Sequence, residues 1–219
     1  MHNCPLCESK NSELYVQTQG REYYLCNQCG LVYVPASQYL SVVEEKAHYD
    51  LHENTPYDLN YRKFLSKLSD PLLQRIKPPA TGLDFGSGAG SALPPLLEEK
   101  GYAVDLFDLF YYPNEEVFQR QYAFITATEV FEHLKNPLFE IQRLWGLLEP
   151  GGYLGVMTQR LESLEAVNRN TLFVNWHYIR DPTHICFWSE SSFKYLANIL
   201  DTEQLDFIST DIVFLKKTI

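Results

Sequence analysis

The sequence holds no apolar run approaching the roughly 20 residues that a membrane-crossing helix needs. Its first residues, Met1-His2-Asn3-Cys4-Pro5, lack the basic segment and apolar stretch of a secretory signal. A soluble, cytoplasmic protein with no membrane partner is expected. Basic residues are in short supply: 18 Lys and Arg face 28 Asp and Glu, for a net charge of −10. A surface that grips nucleic acid neutralises phosphates with excess cations, so such a partner is disfavoured. Repeats and low-complexity tracts are absent. What remains is ordinary: 219 residues, 45% apolar and 21% charged. At about 150 residues per domain, that predicts one full domain and an appendage.

Cysteine is rare beyond the N-terminal region, where only Cys186 follows Cys29. The other four form two Cys-x-x-Cys pairs, Cys4 with Cys7 and Cys26 with Cys29. Two intervening residues let both thiolates of a pair turn inward, and the long spacer supplies a hairpin that joins the pairs. Such a cage suits a structural Zn²⁺, and four thiolates leave no open catalytic position. The alternative, two disulfides, needs an oxidising compartment. Residues 1–35 therefore read as a zinc-ribbon module, too small to bury a core without its metal. Cys186, between Ile185 and Phe187, reads as a buried thiol.

Residues 36–79 read as an aromatic-rich helical connector or lid. Tyr61 to Leu68 has Phe64, Leu65 and Leu68 on one helical face, with Arg62, Lys63 and Lys67 opposite. Tyr49 and His52 either fold over a bound cofactor or pack the ribbon onto the core.

From residue 80 to 219 the pattern alternates between strand and helix. Thr81 to Phe85 is a short strand that runs into Gly86-Ser87-Gly88-Ala89-Gly90. A glycine-rich turn of this kind lets a ligand approach the backbone. The dinucleotide fingerprint would place a third glycine where Ser91 stands. A second strand ends near Asp108, and an acid there can bind both ribose hydroxyls, with Asp105 the runner-up. A third runs from Tyr122 to Glu129. Asn136-Pro137 opens a helix, and Tyr153 to Thr158 is the next strand. This order argues for a doubly wound α/β sheet.

Three segments carry a family resemblance. Leu83 to Gly90 resembles the first motif of class I S-adenosylmethionine-dependent methyltransferases. Ile125 to Leu134 resembles the fourth-strand motif, and Leu147 to Leu154 the turn into the fifth strand. The resemblance implies a Rossmann-like, seven-stranded methyltransferase sheet with one antiparallel strand, and S-adenosylmethionine as cofactor. By position, Asp84, Gly86, Ser87, Gly88 and Gly90 would line its methionine half. Asp108 and Leu109 would hold the ribose, and Thr128, Glu129 and Val130 would lie beneath the sulfonium and adenosine. Between Asp108 and Tyr122 the family's third strand must be short or absent, so Phe110, Tyr111 or Tyr112 would stack adenine instead.

Methyl transfer needs alignment of nucleophile and methyl, and an oxygen or nitrogen nucleophile also benefits from a base. The segment from Asn175 to His184 concentrates imidazole, carboxylate, guanidinium and phenol where the site should be roofed. His184 is the first candidate base, with Asp181 as its orienter and His133 as the second candidate. The leading expectation is methyl transfer to a small-molecule or carbohydrate-like acceptor. An RNA methyltransferase gripping substrate with the ribbon, and a non-catalytic cofactor-binding scaffold, are the alternatives.

Overall fold

The computed structural model describes residues 2–51, 55–164 and 168–219. Two sheets organise them. The first is antiparallel, in the order β1 (Ser12–Thr18), β2 (Arg21–Cys26), β3 (Val32–Tyr33) and β8 (Cys186–Phe187). Gln19 and Gly20, both at positive φ, make the tight turn between β1 and β2. The last strand comes from the far end of the chain: Val32 pairs with Phe187 and Tyr33 with Cys186. The cysteine-bearing hairpin is thereby stitched to the segment just after His184.

The second sheet runs β5 (Ala103–Phe107), β4 (Thr81–Phe85), β6 (Tyr122–Thr128), β7 (Leu148–Met157), β10 (Ile212–Lys217) and β9 (Thr202–Phe207). The β5, β4, β6 and β7 pairings are parallel, and β10 runs antiparallel to both neighbours. The sheet thus has six strands among the described residues, not the expected seven. The chain after β5 turns back on itself, with Asp108 bridging Tyr112, and a 3₁₀ helix spans Glu115–Gln119. The Asp108 carboxylate takes the backbone N–H groups of Phe110 and Tyr111, and Pro113 has none to give. Those groups cannot serve a strand ladder.

Helices cover both faces. On one, α2 (Leu59–Arg75) and α3 (Leu93–Glu98) bury Leu65, Leu68, Leu72, Leu93 and Leu97 against Phe124, Met157 and Phe214. Asp58 caps α2 by accepting from the N–H groups of Asn60 and Tyr61. On the other, α4 (Pro137–Leu147) and α6 (Glu190–Ile199) join Ile141, Leu144, Phe193 and Leu196 to a core that also contains Leu6, Tyr23 and Leu31 of the cysteine-bearing N-terminal segment. Phe173 of α5 (Arg169–Asn175) packs edge-on against Tyr15 and Tyr23. The helix α1 (Val42–Tyr49), fixed at its start by a Ser41–Glu44 capping box, buries no residue fully. No described helix is long and apolar enough to cross a membrane.

Candidate active site

The C-terminal ends of β4, β5 and β6 open into a cavity of about 850 Å³. This is the place where open α/β sheets bind ligands, and the volume suits a drug-sized molecule. Its two ends differ in chemistry.

At the glycine end, β4 delivers Gly86 and Gly88 at φ +71° and +64°, a region that strains any side chain. The N–H groups of Gly86 and Ser87 donate to the Phe107 carbonyl at 2.8 and 3.2 Å. A Cβ on Gly86 would sit 2.4 Å from a Val130 methyl, whereas one on Gly88 would meet nothing within 4 Å. The loop is packed below and open above. Asp108 binds it from the side: Oδ2 accepts from Gly88 N–H at 2.9 Å, and Oδ1 from the N–H groups of Phe110 and Tyr111 at 2.8 and 3.0 Å. Asp105 points elsewhere, pairing with Arg120 and the Tyr122 hydroxyl.

Gly86, Ser87, Gly88, Gly90, Asp108, Leu109, Thr128, Glu129 and Val130 all line the cavity, as do Phe110 and Tyr111. Asp84 does not. It is fully buried beneath the loop, where Oδ1 accepts from Thr126 and Oδ2 from Ser91 at 2.9 and 3.0 Å. Burial pushes its pKa up to about 6 against the pull of those hydroxyls. Its place in the structure is to hold the loop from below. His52 lies outside the described residues.

The other end is polar. Here the 3₁₀ turn Phe131–His133 meets the segment ahead of β8. The His133 and His184 rings lie 4.7 Å apart, centroid to centroid. Each donates Nδ1–H to a carbonyl, His133 to Thr183 at 3.2 Å and His184 to Tyr178 at 2.6 Å. A carbonyl only accepts, so each neutral ring keeps its lone pair on Nε2. Burial lowers the pKa of both rings, that of His184 to about 4. Asp181 faces His184 Nε2 at 3.8 Å and His48 Nε2 at 3.2 Å. Burial alone would raise the Asp181 carboxyl, but Thr183 and the His184 ring outweigh it and hold it at about 2. Glu129 stands at the end of β6 with φ +53°. Burial, and then the neighbouring Glu132 charge, push its carboxyl well above the ordinary range.

Tyr49 joins the two ends. Its ring lies 5.8 Å from Phe110 and 5.4 Å from His133. Its helix is held by polar contacts, Lys135 with Glu45 at 2.6 Å and His48 with Asp181. Tyr61 and Phe64 of α2 and Tyr178 complete the wall. Tyr61 and Phe64 were legible only as members of an aromatic-rich connector. Arg21 carried no signal, yet its guanidinium grips the loop that bears His184.

In the N-terminal segment, the four cysteine thiols converge. Sγ of Cys4 lies 3.5 Å from Cys29, and Cys7 lies 3.4 Å from Cys26. All four sulfurs fall within 4.8 Å of one another. A tetrahedral zinc with Zn–S of about 2.3 Å has sulfur–sulfur edges of about 3.8 Å, so this donor set fits zinc. Cys186 is buried, its thiol directed at the Leu134 carbonyl.

A family model described as a methyltransferase domain matches residues 57–201. The chain belongs to this methyltransferase family. No curated protein matches the sequence. Among solved structures, a Pyrococcus horikoshii OT3 protein, PH0226, is similar at 13% identity and TM-score 0.53, over 79% of this chain and 99% of its own. A candidate methyltransferase of Bacillus halodurans C-125 shares 19% identity at TM-score 0.52, over 65% of this chain and 67% of that one. The plantazolicin methyltransferase BpumL, solved with a monoazolic desmethylPZN analog and SAH, shares 15% identity at TM-score 0.48, over 81% of this chain and 90% of its own. At these identities the likeness to the first two extends to the fold alone.

Proposed function

We propose that this methyltransferase-family chain moves a methyl group from S-adenosylmethionine to a small-molecule or carbohydrate-like acceptor, with a structural zinc in the Cys4, Cys7, Cys26 and Cys29 knuckle. One observation carries the reading: a single cavity presents an open glycine loop and a carboxylate at one end and two neutral imidazoles at the other. The chain fits the cofactor. The free space before Gly88 admits a main-chain-like group, Asp108 Oδ2 retains one lone pair for a ribose hydroxyl, and Phe110 and Tyr111 offer flat faces. When bound, S-adenosylmethionine supplies a methyl on a cationic sulfur that is already activated for displacement.

The protein's own residues then align the acceptor and manage its proton. In that displacement the methyl carbon–sulfur bond would break as the carbon–acceptor bond forms, with the bond electrons left on sulfur. His184 offers its Nε2 lone pair to the acceptor's proton, Asp181 stabilises the ring that receives it, and His133 backs the pair. Tyr49 closes over both ends and limits water. In the ribbon, Arg21 is committed to backbone carbonyls of this chain, which together with the acidic charge favours a small acceptor over RNA.

Calorimetric titration of zinc-loaded protein with S-adenosylmethionine tests the cofactor assignment. Wild type is expected to bind, and Asp108→Ala and Gly88→Val to lose binding while staying folded. A folded wild type that takes up no cofactor would sink the proposal. Acceptor panels follow, with His184→Ala as the control.

A further inference from the structure

The polar end of the cavity has a feature that proton transfer alone does not require. His133, His184 and Glu132 each offer a ligand atom, and these atoms lie within 4.8 Å of one another. All three side chains are pinned from behind. His133 and His184 donate Nδ1–H to the Thr183 and Tyr178 carbonyls. Among the described residues, no donor hydrogen-bonds to either Nε2. Glu132 is fully buried; Oε2 accepts from Thr158 Oγ1 at 2.9 Å and Oε1 from the Tyr178 hydroxyl. The raised Glu129 carboxyl also hydrogen-bonds Glu132, and the carboxylate keeps a lone pair beyond those bonds. Two imidazoles and a carboxylate therefore lie within ligand reach of one another, each oriented by an outer hydrogen bond of the kind that fixes metal-bound histidines and carboxylates. Asp181, 3.8 Å from His184 Nε2, adds negative charge beside them.

We propose that His133, His184 and Glu132 bind a divalent transition-metal ion at the acceptor end of the cavity, separate from the cysteine knuckle. Two imidazoles and one carboxylate form a borderline donor set. It suits Mn²⁺, Fe²⁺, Co²⁺ or Zn²⁺ better than the all-oxygen preference of Ca²⁺ and Mg²⁺. The three ligands leave coordination positions facing the cavity, where His133 and His184 form part of the wall. An acceptor hydroxyl entering there would be drawn to the ion and acidified by it. The roles of His184 exclude one another, because a ring whose Nε2 binds metal has no lone pair for a proton. With the ion in place, the acceptor's proton leaves to water. This inference rests on the methyl-transfer reading of the cavity, and it narrows the acceptor to one with a metal-binding oxygen.

The test uses the full chain with its cysteine knuckle loaded with one equivalent of zinc. Co²⁺ is titrated into wild type and followed by visible absorption. One further equivalent is expected, with the d–d bands of nitrogen and oxygen ligation and no thiolate charge-transfer band. Mn²⁺ titration by electron paramagnetic resonance should give the same stoichiometry. His133→Ala and His184→Ala should each weaken that equivalent by about tenfold or more, while S-adenosylmethionine binding by calorimetry persists. Asp108→Asn should do the reverse, losing cofactor and keeping metal. Wild type that takes up no second ion, or takes it up with thiolate bands, overturns the proposal without any variant having to fold. Unchanged metal affinity in both histidine variants also overturns it. Cofactor binding is measured separately, so either reading can fail alone.

Discussion

The Arg21 guanidinium leaves the N-terminal sheet and donates to the His184 carbonyl at 2.8 Å, with a second, longer contact to the Asp181 carbonyl at 3.4 Å. One planar fork thus spans both ends of the Asp181-Pro182-Thr183-His184 turn. A lysine cannot reproduce it, because a point charge does not bridge two acceptors at fixed separation. Arg21 is a positioning residue, since it holds the turn from the side away from the cavity. Arg21→Ala should lower kcat by about tenfold or more, given about 1.5–3 kcal/mol for hydrogen bonds to a charged group. Arg21→Lys should recover only part of the loss. Affinity for S-adenosylmethionine should stay near the wild-type value, because the glycine end is untouched. If cofactor affinity and kcat fall together, Arg21 serves general stability instead.

The same segment gives the cysteine knuckle a reach beyond its own module. Cys26 ends β2, and β3 pairs with the Cys186–Phe187 strand. Val34 N–H donates to the Ile185 carbonyl at 2.9 Å, and the Ser189 hydroxyl donates to the Gly30 carbonyl at 2.9 Å. Loss of zinc should therefore loosen the loop that carries His184. Chelation, or Cys4→Ser, is expected to lower the melting temperature and abolish methyl transfer in step, with both restored by one equivalent of zinc. A zinc-free protein that melts and turns over like the loaded one would refute the structural assignment.

Much of this arrangement was readable from local pattern. The strand at Thr81–Phe85, the glycine turn after it and the helix opened by Pro137 are local matters, set by alternation, φ preference and a missing N–H. The convergence of the paired cysteines was legible because two intervening residues let both thiols of a pair turn inward. Three things were not. Asp84 looks like a ligand because it precedes the glycines, but its inward register on β4 buries it beneath Thr126 and Ser91. Glu132 carried no signal of its own, and only tertiary folding brings Thr158 and Tyr178 to it. The β3–β8 pairing joins residues far apart in sequence through two-residue strands, too short for periodicity to register.

Gly86 and Gly88 share a backbone conformation but differ in what faces them, which separates stability from binding. Gly86→Ala drives a Cβ to 2.4 Å from Val130 in a left-handed position. It should destabilise the fold by about 1–3 kcal/mol, visible as a lower urea midpoint. At Gly88 an added Cβ meets no atom within 4 Å. The backbone strain of Gly88→Val costs about 1–2 kcal/mol, but its side chain occupies the space a cofactor needs. The expected signature is a modest stability loss with complete loss of S-adenosylmethionine binding. Retained binding in folded Gly88→Val would place the cofactor elsewhere.

Acid sensitivity should reveal two buried groups that work against each other. His184 has its pKa lowered from 6.5 to about 4, chiefly by burial. Between those values the unfolded chain binds more protons, so this group makes stability rise with pH and fall on acidification. The span corresponds to about 3 kcal/mol, fully present above about pH 6.5. Asp84 has its pKa raised from 3.8 to about 6, again chiefly by burial. Over that window the native chain binds more protons, so stability falls as pH rises, also by about 3 kcal/mol. The two slopes oppose each other, and wild type should vary little between about pH 4 and 6. Asp84→Asn removes one slope and leaves the other. Urea unfolding of Asp84→Asn should then show stability dropping steeply from pH 6.5 towards 4. His184→Asn should show the opposite trend, gaining stability on acidification over the same range. Parallel pH profiles for wild type and both variants would mean that neither group titrates with the shift its burial implies.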